Sequence, residues 1–137
     1  MNISEANEIL RSVVGRWSDA ANPLSPEKIA AVYSPDALFF GGRPDHYIGR
    51  ASVRDYFETY RDILASIALE IRDVHFAEVG DRLLLAQGTA DFNFGLLDGR
   101  STFASLRATL ALRRSDADWM ICLHHFSPPP EVPPVPQ

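Results

Sequence analysis

The sequence predicts an α+β fold in which three helices precede a strongly bent antiparallel sheet. Apolar residues recur at three- and four-residue spacing as far as about residue 68, and alternate from there on. The alternation slips phase at Arg72-Asp73, which predicts a β-bulge and a bend in the strand. Gly80-Asp81, Asp98-Gly99-Arg100 and Ser115-Asp116-Ala117-Asp118 then divide the remainder into hairpin-connected strands.

The first helix carries Ala6, Ile9, Leu10, Val13, Val14 and Trp17 on one face, with Ser4 as its expected N-cap and Asn22-Pro23 as its end. A second, shorter helix starts from Ser25 as N-cap with Pro26 at the first helical position. Ile29, Val32 and Tyr33 form its apolar face, and Ser34-Pro35-Asp36 stops it. A short strand, Ala37-Leu38-Phe39-Phe40, runs into Gly41-Gly42, and a loop follows over 43–49. The third helix is expected over 52–68, burying Val53, Tyr56, Phe57, Tyr60, Ile63, Leu64 and Ile67. Long strands are expected over 83–96 and 102–113, and a last one from Asp118 to the double histidine His124-His125.

With 137 residues, 46% hydrophobic and 23% charged, the chain has the composition of one globular domain. That domain is expected over 1–127. Residues 128–137 hold six of the ten prolines and form an extended tail that cannot continue a sheet. A net charge of −5 without any basic stripe argues against a nucleic-acid surface. No run of 18 apolar residues offers a membrane span, and Met1-Asn2-Ile3-Ser4-Glu5 lacks the basic region of a signal peptide. The expectation is a cytoplasmic protein. Cys122 is the single cysteine and sits in an apolar strand with no cation beside it, so it reads as core rather than nucleophile.

The candidate chemistry lies on the strands. Gln87, Thr89, Asp91 and Asn93 share one face of their strand, as Ser105, Arg107 and Thr109 do on the next. A two-residue turn at Asp98-Gly99 would set Asp91 against Leu106. A three-residue loop, Asp98 to Arg100, matches polar with polar and predicts Asp91 opposite Arg107. Pairing Arg113 with Trp119 then brings His125 opposite Arg107, and a one-residue shift brings His124 there instead. An arginine held by a carboxylate and flanked by an imidazole can fork a small carboxylate ligand, and His125 with Asp91 can move a proton. Set against these is a dimer interface or a solvated sheet face. Tyr33, Phe57, Tyr60 and Trp17 supply apolar walls. His46 and His75 read as solvent-facing. No His-x-Glu with Cys-x-x-Cys, no His-Glu-x-x-His and no glycine-rich phosphate loop occurs, so neither a metal site nor a cofactor is expected.

Several segments carry a family resemblance in order. These are Tyr33-Ser34-Pro35-Asp36-Ala37-Leu38-Phe39, Gly49-Arg50 with Val53-Arg54-Asp55-Tyr56-Phe57, Gly88 with Asp91-Phe92-Asn93-Phe94, Leu106-Arg107-Ala108-Thr109, and Trp119 through Ser127. Together they resemble the cone-shaped, cystatin-like fold of the nuclear transport factor 2-like superfamily, which includes ketosteroid isomerase, scytalone dehydratase and SnoaL-type cyclases. The nearer resemblance is to the association domain of calcium/calmodulin-dependent protein kinase II and to SgcJ/EcaC-type bacterial proteins. The resemblance implies a pocket between helices and sheet and a homodimer formed through the sheet faces. It also implies a polar or anionic organic ligand, held by Arg107 with His124 or His125. The enzymatic alternative is a cofactor-independent isomerase or dehydratase using His125 and Asp91. A non-catalytic assembly module is the third reading.

Overall fold

The computed structural model describes residues 1–116 and 118–136; Ala117, in a predicted turn, and Gln137, the end of the predicted tail, lie outside the described residues. Helices α1 (Ile3–Ala20), α2 (Pro26–Ala30) and α3 (Arg50–Glu58) cover one face of a curved sheet. Its strands are β1 (Tyr33–Phe40), β2 (Tyr47–Ile48), β3 (Leu64–Val79), β4 (Leu83–Leu96), β5 (Ser101–Ser115) and β6 (Asp118–Ser127). Their spatial order is β2-β1-β6-β5-β4-β3, and only β1 and β6 run parallel. This is the expected α+β fold. No described helix is long and apolar enough to cross a membrane.

The N-cap of α1 is Asn2, not Ser4. Asn2 Oδ1 accepts the Glu5 N–H at 2.9 Å, and its amide donates to the Glu5 carboxylate at 3.0 Å. Capping from Asn2 puts Glu5 at the third helical position and closes this reciprocal box; capping from Ser4 would put Asn7 there. Helix α2 starts as predicted, with Ser25 accepting from the Lys28 N–H and Pro26 opening the helix. Ser34-Pro35-Asp36 belongs to β1. The proline lacks a ladder donor, and the register with β6 jumps between Tyr33 and Leu38 around it.

The predicted third helix is too long by ten residues. It ends at Glu58, and Leu64 already opens β3. Ile63, Leu64 and Ile67 satisfy helical spacing, but Leu64 and Ile67 pair across the sheet with Leu96 and Phe94. The start of β3 is also held from its other side, where Leu24 N–H donates to Ala65 C=O and Ile67 N–H to Ala21 C=O. Pairing with a complete β4 outweighs a weak local helical preference. The two-residue strand β2 went unread inside a polar loop.

The bulge in β3 falls where the phase slip put it. Arg72 pairs with Thr89 and His75 with Gln87, while Asp73 takes a φ of 53°. Gly88 lies against it, and a Cβ there would stand 2.7 Å from Arg72 C=O. The bulge returns Val74 and Phe76 to the helix-facing side already occupied by Leu69 and Ile71. The β4–β5 loop is Leu97-Asp98-Gly99, one residue earlier than expected, because Leu96 and Arg100 remain bonded. Asp91 therefore faces Ser105, and Arg107 faces Thr89. The expected pairing of Asp91 with Arg107 is overturned, although both residues keep the expected face.

Candidate functional site

Beneath the helices the curved sheet encloses a cavity of about 360 Å³, at the small end of the usual range for ligand sites. Helix α1 contributes Trp17, and α3 with the turn after it contributes Tyr56, Phe57, Tyr60 and Ile63. The sheet contributes Phe92, Phe94, Leu106 and Phe126. These positions follow from strand parity: Phe92 and Phe94 share a face on β4, and pairing Leu110 with His124 sends Phe126 to that same side. The walls are therefore aromatic and aliphatic nearly throughout.

Of the polar groups lining it, Gly42, Arg43, Tyr56 and Tyr60 form one cluster, and Thr102 is the remaining polar side chain. Gly42 N–H donates to Tyr56 Oη at 2.8 Å, and Tyr56 Oη lies 3.3 Å from Tyr60 Oη. The Arg43 guanidinium lies 4.5 Å over the Tyr60 ring centroid. Gly41 makes this approach possible, since a Cβ there would be 2.6 Å from Phe39 and 2.7 Å from Tyr56. Burial holds the Tyr56 phenol well above its ordinary pKa, so it stays protonated and able to donate. None of the described side chains lining the cavity is a carboxylate or an imidazole.

His124 faces the helices but sits behind the cavity wall. It is 1% exposed and ringed by Tyr33, Phe39 and Phe126. Trp17 Nε1–H donates to Tyr33 Oη at 3.1 Å, and Tyr33 Oη lies 2.8 Å from His124 Nδ1. A Tyr33 hydroxyl donating to Nδ1 leaves only the His124 Nε2–H without an acceptor, whereas the reverse tautomer strands two groups. Burial, and then the neighbouring His125, push the imidazole pKa down to about 3. His124 is accordingly neutral near pH 7 and not poised for acid–base work. Tyr33 stands with it in the packed core rather than on the cavity surface.

The other sequence-derived candidates lie on the outer sheet face. His125 is paired with Thr109, and Arg107 with Ser127, because Arg113 faces Met120 rather than the expected Trp119 and a register shift between Ala111 and Leu112 displaces β6 by one residue more. Arg107, His125, Gln87, Thr109 and Ser127 line a depression of about 440 Å³ there. His125 tilts against Phe40, which itself stacks on His46 at 4.3 Å. Asp91 is outside that depression. It accepts from Ser105 Oγ at 2.6 Å and Arg72 Nε at 2.8 Å, and these two partners hold its carboxyl below the usual range. The structure thus brings Trp17, Phe57 and Tyr60 together around one cavity. It separates them from Asp91, Arg107 and His125. Arg43, Tyr56, Thr102 and Phe126 were not among the sequence-derived site residues. The one available signal was Gly41-Gly42 immediately before an arginine.

The profile of the SnoaL-like domain family matches residues 10–131. No protein of curated function matches in sequence. Among solved structures, a calcium/calmodulin-dependent protein kinase II association domain-like protein from Xanthomonas campestris is 20% identical with a TM-score of 0.79, over 96% of this chain and 91% of its own. A scytalone dehydratase-like protein from Novosphingobium aromaticivorans is 10% identical with a TM-score of 0.78, over 90% and 83%. A nuclear transport factor 2-like superfamily protein from Salmonella enterica serovar Typhimurium is 16% identical with a TM-score of 0.76, over 97% of each chain. At these identities the structures share a fold, which is the one expected from the sequence. The cone of helices on a bent sheet and the family match across most of its length agree, and the chain belongs to the SnoaL-like domain family, with the nuclear transport factor 2-like fold.

Proposed function

We propose that this protein binds a small molecule built on an apolar ring system, in the cavity between helices and sheet. One observation carries the reading: an aromatic-walled cavity of about 360 Å³ in which Arg43, Tyr56 and Tyr60 gather into one polar cluster. Such walls favour flat rings through dispersion and edge-to-face contacts, and the polar end fixes their orientation. Proton transfer by His125 and Asp91 finds less support, since both lie on the other side of the sheet and Asp91 is already held by two partners. Arg107 on that outer face is too remote to hold a ligand in the cavity, so the ligand's polar group belongs at the Tyr56–Tyr60 end. The same reading includes a homodimer through the outer sheet face, where Leu38 and Phe40 stand exposed beside half-buried Leu123.

The uncharged fluorescent probe N-phenyl-1-naphthylamine tests the binding reading. Saturable fluorescence enhancement is expected with the wild type, and its loss with Thr102→Trp, which plugs the cavity from an exposed position on its lining. Absent saturation, or equal binding by the plugged variant, contradicts it.

A further inference from the structure

Arg43 is the only charged side chain among the described residues lining the cavity. Arg54, Arg61, Arg72, Arg100 and Arg113 are each engaged by a carboxylate. Arg43 instead has neutral company: the Tyr60 ring face, and Thr59 Oγ1 at a long 3.4 Å from its Nε. It also lines the outer cleft formed by Phe40, Pro44, Ser127 and Pro128, so it stands in the partition between cavity and exterior. A guanidinium there keeps partial contact with water, which limits the desolvation cost of pairing it with an anion.

The neighbouring phenols add a donor. Two phenols carry two protons, and their mutual contact uses one. Gly42 N–H already occupies a lone pair on Tyr56. Whichever phenol donates to the other, one O–H is left over for a ligand atom. This end of the cavity therefore presents a free phenolic proton and a guanidinium without an ion pair, while Asp45, two residues on, is directed at Tyr47 and does not line the cavity. A guanidinium beside a spare hydroxyl donor favours an oxyanion over a neutral group.

We propose that the cavity selects ring systems bearing a single oxyanion, a carboxylate or an ionised hydroxyl, and that Arg43 is the residue that sets this selectivity. The inference rests on the binding reading above and adds the charge of the ligand to it. Because Arg43 rides on the Gly41-Gly42 segment, which is pinned to Tyr56 by one hydrogen bond, the guanidinium can leave the Tyr60 ring for the ligand without disturbing a helix or strand.

A matched pair of probes separates the two claims: 2-naphthoate and its uncharged isostere 2-naphthamide, titrated at neutral pH by calorimetry. The wild type is expected to bind the carboxylate about ten times more tightly than the amide, the effect of one charge-assisted contact. Arg43→Met is expected to abolish that preference while still binding the amide, which also shows that the variant is folded. Arg43→Lys is expected to retain part of it. Amide binding without any preference for the carboxylate overturns the oxyanion inference and leaves the cavity reading standing. A preference that survives in Arg43→Met overturns the assignment to Arg43. Failure of both probes to bind the wild type removes the cavity reading and this inference with it.

Discussion

His124 and His125 are adjacent in sequence and differ in almost every physical respect. One is fully buried and neutral; the other lies on the outer face. Alternation along a strand made the split legible, but not which ring went inward. That depended on a register shift at Ala111–Leu112, where nothing in the residue types announces a bulge. The buried ring makes a prediction in acid. Its pKa lies near 6.5 in the unfolded chain and at about 3 when folded, so the unfolded chain binds the extra proton between those values. The stabilisation from burying neutral His124 is fully present above pH 6.5 and is lost as pH falls from there toward 3. The loss is about 2 kcal/mol by pH 5, above the range where most carboxylates titrate. Urea unfolding across pH 8 to 5 should show this fall in the wild type and a flatter profile in His124→Gln. A wild-type profile flat below pH 6.5 contradicts the assignment. Tyr33→Phe removes the hydroxyl linking Trp17 to His124 and should cost about 1–3 kcal/mol in the same assay.

At the level of elements, what the sequence shows best is what local chemistry decides. Pro26 after Ser25 opened α2 as expected, and the phase slip located the β3 bulge. What it shows poorly depends on distant partners. The run from Ile63 to Ile67 fits a helix and a strand equally well, and only β4 and the Ala21–Leu24 segment choose between them. The β4–β5 loop illustrates a finer ambiguity. A G1 bulge wants glycine at the last loop position, where Gly99 sits with a φ of 90° in Leu97-Asp98-Gly99; placing it centrally moved the register by two residues. That error preserved each residue's face and changed every partner. The bulge yields a test of its own. Gly88→Ala forces a methyl against Arg72 C=O and should destabilise the fold by about 1–3 kcal/mol, measured by chemical denaturation. A neutral effect would mean that the bulge yields freely.

For the molecule as a whole, the bent sheet has two unlike faces. The inner face closes with the helices on an aromatic cavity, and the outer one combines a polar depression with exposed Leu38 and Phe40. Helix and strand patterning revealed the inner walls, so Trp17, Phe57 and Tyr60 were readable as cavity residues. The polar end was not, because Arg43 comes from a loop whose path follows from the glycine packing of Gly41 against Phe39 and Tyr56. If the outer face joins two copies, Leu38→Glu should shift the protein from dimer to monomer in sedimentation equilibrium. A monomeric wild type contradicts that assembly. The central claim is that the inner cavity is where a ring-bearing ligand binds, and a crystal structure grown with 2-naphthoate tests it most directly. The account predicts density for the naphthalene between Trp17, Tyr60 and Phe94, with its carboxylate at Arg43. Naphthoate beside Arg107 and His125 on the outer face, with the cavity empty, would contradict it.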